Sequence, residues 1–233
     1  MITFNDRDLE NIAPVKIEDI TVSPIQLNPY SRPRPVAFGS EFIRMGGGTR
    51  TITISFAMLE SAINERESML QDVRDWAFST SEKTLQLPMF ENRHLECILT
   101  QFPDHNYRKW WENKLKMVFT CYNNPYWTSN EQIEVAAGTV FSIGGSAPPL
   151  VTINRSGSTS LTNVTFSTKS ESMTFTTIPA GNLTINLNRQ TAQIGNSSIM
   201  QYYKPSSTWL VPRIGADQVF NGVGVLRFRE RWV

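Results

Sequence analysis

The C-terminal part of the chain constrains the fold most tightly. From Glu131 to Val233 no segment places apolar residues at the 3.6-residue spacing of a helix. Short β-like segments recur instead, at Val151–Asn154, Val164–Ser167, Met173–Thr176, Leu183–Asn188 and Gly224–Val233. Pro148-Pro149, Ser156-Gly157, Ala180-Gly181 and Gly195-Asn196 punctuate them, residue types that preset turns or reach positive φ. Many short strands with no crossover helices pair antiparallel and bury their apolar faces by stacking two sheets. This part therefore reads as an antiparallel β-sandwich.

Up to Trp127 the texture differs. Residues Ser61 to Phe78 put Ile63, Arg66, Leu70, Val73 and Ala77 on one helical face, widened by Met69 and Trp76. Around this helix the alternation predicts strands at Thr51–Met58, Leu85–Phe90, Leu95–Phe102 and Leu115–Tyr122. The clearest is MGGGTRTITISF, Met45 to Phe56, where three glycines run into Ile52, Ile54 and Phe56 alternating with Thr51, Thr53 and Ser55. Glycine admits φ > 0 and close backbone approach, so the triplet is a bend or a contact point. Before it, Asn28 to Gly48 combines three early prolines with Phe38, Phe42 and Ile43. Stiff and loose backbone together suit an arm that docks on a partner, and equally a long surface hairpin. The change of texture sets two domains, residues 1–130 and 131–233.

Composition excludes several functions. Residues 1–130 hold 14 Lys and Arg against 16 Asp and Glu, a balance of −2, and residues 131–233 hold 8 against 5, a balance of +3. Neither part carries a basic stripe able to neutralise many phosphates, which argues against sequence-specific nucleic-acid binding. No apolar run approaches the roughly 20 residues of a membrane-spanning helix, and the N-terminus lacks a signal-peptide pattern, so synthesis in the cytoplasm without membrane insertion is expected. Two histidines and two cysteines, Cys97 and Cys121, give no clustered metal-ligand spacing, and the cysteines in alternating segments read as small buried side chains. No phosphate loop, dinucleotide motif or nucleophile elbow is present, so neither enzymatic activity nor a cofactor is expected.

The order of these pieces is that of a known family. An N-terminal β segment, a Pro- and Gly-bearing arm, GGGTRTITISF, a helix ending near Trp76, KMVFTCYNNPYW and the closing TWLVPRIGADQVFNGVGVLRFRERWV together resemble the distal tail proteins of phages with long flexible tails, especially those infecting Gram-positive bacteria. The resemblance implies an N-terminal β-sandwich or barrel with one helix that associates into a homo-hexameric ring, and a galectin-like C-terminal β-sandwich. It implies a place in the virion, at the tail tip or baseplate, after assembly in the bacterial host cytoplasm. The partners would be the major tail (tube) protein, the tail-associated hub or lysin protein, and receptor-binding proteins, with DNA leaving through the ring lumen. The chain has no room for the family's large inserted carbohydrate-binding modules and would be a minimal member. Carried onto this sequence, the ring interface falls on Phe38, Phe42, Ile43, Arg44, Gly46, Gly47, Gly48 and Arg50.

Two other readings compete. A carbohydrate-binding, host-adsorption role would use Trp209, Tyr202 or Tyr203 as a sugar platform, although a Trp beside a strand more often belongs to a core and this part has no histidine. Another type of tail tube or baseplate protein would share the first domain without needing the second.

Overall fold

The computed structural model describes residues 1–26, 29–33, 40–45, 48–59, 63–102, 114–169, 171–211 and 213–233, with backbone alone at 29–33, 40–45, 63, 64 and 114. It divides into two compact units, Met1–Trp127 and Thr128–Val233.

The first unit is a folded-over antiparallel sheet around one helix. Its strands are β1 (Thr3–Phe4), β2 (Arg7–Asp8), β3 (Val15–Val22), β4 (Pro29–Pro33), β5 (Ser40–Met45), β6 (Arg50–Met58), β7 (Lys83–Gln86), β8 (Arg93–Gln101) and β9 (Lys114–Cys121). The helix α1 (Ile63–Ala77) lies between β6 and β7 in the chain. β3 pairs with β6 and β6 with β9, so the predicted strand after the glycines lies between two others. Along it Ile52, Ile54, Phe56 and Met58 are buried while Thr51, Thr53, Ser55 and Ala57 are half-buried, the period-2 pattern the residues foretold.

β8 turns the corner of the sheet. Its first half pairs with β7, Leu95 opposite Leu85 and Cys97 opposite Lys83, whereas its second half pairs with β9 from Ile98 opposite Thr120 onward. A register shift between Leu99 and Gln101 follows. A strand that changes partners through a bulge is how a sheet folds over into a second layer. The consequence is visible in the core: Phe4 of β1 and Phe119 of β9 have ring centroids 5.1 Å apart. Three strand steps separate them through β7 and β8, which in a flat sheet would be about 14 Å. Trp76 of α1 meets both rings edge-on, at 5.8 Å and 6.4 Å, and its Nε1 donates to the Arg7 carbonyl at 2.7 Å.

The predicted helix face is the buried one. Leu70, Val73, Trp76 and Ala77 are buried, and Glu65, Glu67, Asp72 and Asp75 are exposed. The strand expected at Leu85–Phe90 is instead β7, ending at Gln86. Pro88 has no N–H to give a ladder, and Leu87 begins a turn whose Phe90 N–H returns to the Leu87 carbonyl.

β10 (Trp127–Ser129) straddles the division between the units. The second unit is all β, with β11 (Ile133–Ala136), β12 (Val140–Ile143), β13 (Ala147–Gly157), β14 (Leu161–Ser167), β15 (Ser172–Ile178), β16 (Gly181–Asn186), β17 (Thr191–Ile194), β18 (Ser197–Ser198), β19 (Gly215–Val219) and β20 (Val225–Trp232). One antiparallel ladder runs β11-β20-β13-β16-β17-β18, and the pairs β14–β15 and β12–β19 supply the rest. Val151, Ile153, Leu183, Ile185, Leu226 and Phe228 of the ladder share one core with Phe141, Val164, Phe166, Met173 and Phe175. This is the antiparallel sandwich expected. The Pro148-Pro149 turn is not a separator: both prolines lie inside β13, at the register shift between Ala147 and Leu150, where a residue without an N–H costs the ladder nothing.

Candidate assembly surface

The segment from Asn28 to Gly48 continues an existing hairpin. β3 and β6 pair as far as Val22 opposite Ile52, Gln26 bridges Thr49, and β4 pairs β5 from Pro29 opposite Met45 to Pro33 opposite Ser40. The antiparallel register therefore drifts by no more than one residue at each interruption, and the two ends of the arm are held side by side. At its root the Gln26 N–H donates to the Thr49 carbonyl at 2.8 Å and the Thr49 N–H returns the bond at 3.0 Å.

Gly48 shows why glycine precedes the strand. A Cβ there would lie 2.3 Å from Ile25 Cγ2 and 3.0 Å from the Gln26 carbonyl oxygen, so the two sides of the hairpin close only on a residue without a side chain. Gly46, Gly47 and Phe38 lie outside the described residues. Phe42 and Arg44 stand on β5 opposite Ser31 and Tyr30, and Ile43 is the extra residue between them at a bulge. A bulge in an edge hairpin twists it and interrupts the unpaired backbone row it would otherwise present.

Arg50 is placed differently from the rest of that set. It shares the inward phase of Ile52, Ile54 and Phe56 and is 4% exposed. Among the described residues its Nε and Nη1 have no hydrogen-bond acceptor. Burial pulls its pKa below the ordinary guanidinium range, opposed by the nearby Cys121 and Tyr126. A guanidinium held this way is costly, since an unsatisfied buried charged group carries its full desolvation penalty. Directly opposite Arg50 on β9 is Cys121. Cross-strand partners point to the same face of a sheet, so both look into the core. Sequence reading grouped Arg50 with the arm by proximity along the chain; the phase of the alternation is the signal that puts it inside.

Glu82 holds the end of β9. Its carboxylate accepts the backbone N–H groups of Tyr122 and Asn123, the latter at 3.1 Å, and so fixes the start of the NNPYW turn. Trp127 closes that turn against Phe90, with ring centroids 4.5 Å apart.

The three aromatics considered as a sugar platform behave as a satellite of the second core. Trp209 is edge-on to Tyr203 at 5.4 Å, and Tyr203 edge-on to Phe175 at 5.8 Å. Trp209 Nε1 donates to the Leu187 carbonyl at 3.0 Å, and the Tyr203 hydroxyl to the Ser207 carbonyl at 2.6 Å. Tyr202 is half-buried beside them. The polar atoms of Trp209 and Tyr203 are thus engaged locally, and edge-on rings are a packing geometry. Among the described residues, no three His, Cys, Asp or Glu side chains gather as a metal site, and no helix is long and apolar enough to cross a membrane.

No protein-family model matches the chain, and no curated protein matches its sequence significantly. Solved structures do match in three dimensions. The Dit protein of phage SPP1, described as a paradigm of the hub adsorption apparatus in phages infecting Gram-positive bacteria, superposes with a TM-score of 0.73. That match covers 100% of this chain and 98% of the other at 11% identity. A chain of the phage P2 baseplate in its activated conformation with Ca aligns at a TM-score of 0.48 and 13% identity, over 96% of this chain and 92% of that one. The chain thus has the fold of SPP1 Dit over its whole length.

Proposed function

We propose that this chain is a structural protein of a phage tail tip, without enzymatic activity, whose copies close into a hexameric ring. In that role it joins the tail tube to the tail-associated hub or lysin protein, offers its second unit to receptor-binding proteins, and lets DNA leave through the lumen. It is assembled in the host cytoplasm and resides in the virion. The observation that carries this reading is the full-length likeness to SPP1 Dit, over 100% of this chain and 98% of that one.

The β4–β5 hairpin supports the assembly part. An arm built on the β3–β6 register reaches one neighbour, and one contact repeated around a closing rotation makes a cyclic, head-to-tail ring. Phe38, Phe42 and Ile43 on that arm would contribute about 5 to 8 kcal/mol per interface before association costs. A balance of −2 over residues 1–130 suits a conduit that must not hold the polyanion sliding through it.

The test is negative-stain electron microscopy of the purified full chain, alone and mixed with its tail-tube neighbour. Class averages should show six-fold rings with an open centre. Monodisperse single copies under both conditions would refute the ring.

A further inference from the structure

The three adjacent strands β6, β9 and β8 carry a row of inward-facing side chains that the tail-tip role does not use. Arg50 stands opposite Cys121, and the register that pairs Ile98 with Thr120 sets Cys97 opposite Cys121 in turn. Lys83 of β7 is the partner of Cys97 on its other side. Both thiols are free and fully buried, and they touch as a hydrogen-bonded pair. We propose that Cys97 and Cys121 are a latent cross-strand disulfide, formed by a peroxide-class oxidant, with Arg50 positioned to assist at the Cys121 sulfur.

Several observations point the same way. Opposed residues of an antiparallel pair have Cα atoms about 4.5 to 5.5 Å apart, within the roughly 4.4 to 6.8 Å over which disulfides form. Burial pushes the Cys97 thiol well up, reinforced by its hydrogen bond to Cys121 and by the negative charge of Glu82. Cys97 therefore keeps its proton, which suits it to act second, as the resolving thiol. Arg50 stands directly across from Cys121, the residue where negative charge would appear, and interacts with it electrostatically, and among the described residues its Nε and Nη1 have no acceptor. A cation beside a cysteine stabilises its thiolate, the nucleophilic form.

The chemistry balances in two steps. The Cys121 sulfur attacks one peroxide oxygen; the O–O bond breaks, a sulfenic acid forms, and the departing hydroxide takes up the Cys121 proton and leaves as water. The Cys97 sulfur then attacks Cys121 Sγ, the S–O bond breaks, and hydroxide departs as water with the Cys97 proton. Two thiols and one peroxide become one disulfide and two waters. The bond would pin β8 to β9 where β8 changes partners, fixing the fold-over of the sheet. This inference stands on the fold of the first unit alone and is independent of the ring.

The reduced full chain is treated with hydrogen peroxide, denatured, alkylated with N-ethylmaleimide and weighed intact. The expected product is about 2 Da lighter with no alkylation, and a peptide pair linking Cys97 to Cys121 appears only without reductant. The first unit should melt about 5–10 °C higher when oxidised and return on reduction. Arg50→Met should slow bond formation about tenfold and Arg50→Lys restore part of it. In Cys97→Ser, dimedone should trap a sulfenic acid on Cys121. Two alkylated thiols in the folded chain, under peroxide that oxidises the urea-unfolded chain, would overturn the disulfide, as would sulfinic acid on Cys121 beside a free Cys97. An unchanged rate in folded Arg50→Met would remove Arg50 from the proposal.

Discussion

The two units specify their folds by different means. Among the described residues, the buried polar or charged side chains Arg50, His94, Thr120 and Asn124 lie in the first unit, as do both buried cysteines; the second unit has only Thr128, at its first position. Conversely, among the described residues the glycines at positive φ, Gly138, Gly145, Gly181, Gly195, Gly215, Gly222 and Gly224, lie in the second. The sandwich is an apolar core whose topology is written into its turns. The folded-over sheet is written into its interior, through an aromatic junction and polar groups that an apolar core would not need. Buried polar groups cost stability unless satisfied, and in the first unit that cost falls on Arg50, whose Nε and Nη1 have no acceptor among the described residues.

The largest break in this contrast should come from the aromatic junction. Trp76→Ala removes two edge-on ring contacts and leaves the Arg7 carbonyl without its donor. It should lower the first unit's stability by about 4 kcal/mol, with the second unit's urea midpoint unchanged. Fluorescence and circular dichroism together resolve the two transitions, and equal shifts in both would show that the units do not unfold separately.

Turn glycines should matter next. At Gly145, with φ +95°, a Cβ would lie 2.2 Å from the Arg231 carbonyl oxygen, a backbone atom that cannot swing away. Gly145→Val should cost about 3 kcal/mol of the second unit's stability. At Gly48 the obstacles are the Ile25 Cγ2 methyl at 2.3 Å and the Gln26 carbonyl oxygen at 3.0 Å, without the strain of a positive φ, and Gly48→Ala should cost about 2 kcal/mol. Denaturant titration that ranked these two the other way would contradict the division of labour.

Arg50→Met should change stability least of the interior variants, within about 1 kcal/mol, because removing a poorly satisfied buried charge offsets the lost packing. A loss of several kcal/mol in urea titration would show that the guanidinium is satisfied in solution after all. The pH dependence is smaller still. The folded chain holds the Cys97 proton more tightly than the unfolded chain, whose thiol titrates near the ordinary 9.0. The first unit's stability under reducing conditions is therefore unaffected by this group below that pH and falls as pH rises beyond it. Cys97→Ala should abolish that part of the alkaline slope.

Much of this was readable from residues whose neighbours in sequence are their neighbours in structure. The Thr51–Phe56 alternation, the apolar stripe of Leu70, Val73 and Ala77, and the turn at Gly195-Asn196 all report local geometry, and β6, α1 and the β17–β18 turn follow them. The Asn5-Asp6 turn, with φ of 51° and 61°, was equally local, though its strands are two residues each and too short to show a period. What stayed hidden was register. Nothing in the sequence says that Cys121 faces Arg50 on one side and Cys97 on the other, because those partners meet only after β8 changes sheets. Likewise the residues of the arm suited a docking arm and a long hairpin equally, because its prolines and glycines mask the register that runs out from β3 and β6 with shifts of no more than one residue.

Native mass spectrometry of the full chain and of Phe42→Asp tests most directly the claim that the first unit carries assembly through its arm. Wild type should appear at six times 26.5 kDa, about 159 kDa, and Phe42→Asp as a folded 26.5 kDa monomer with unchanged circular dichroism. Wild type that stays at 26.5 kDa at high micromolar concentration, or a Phe42→Asp variant that forms the same 159 kDa species, would contradict it.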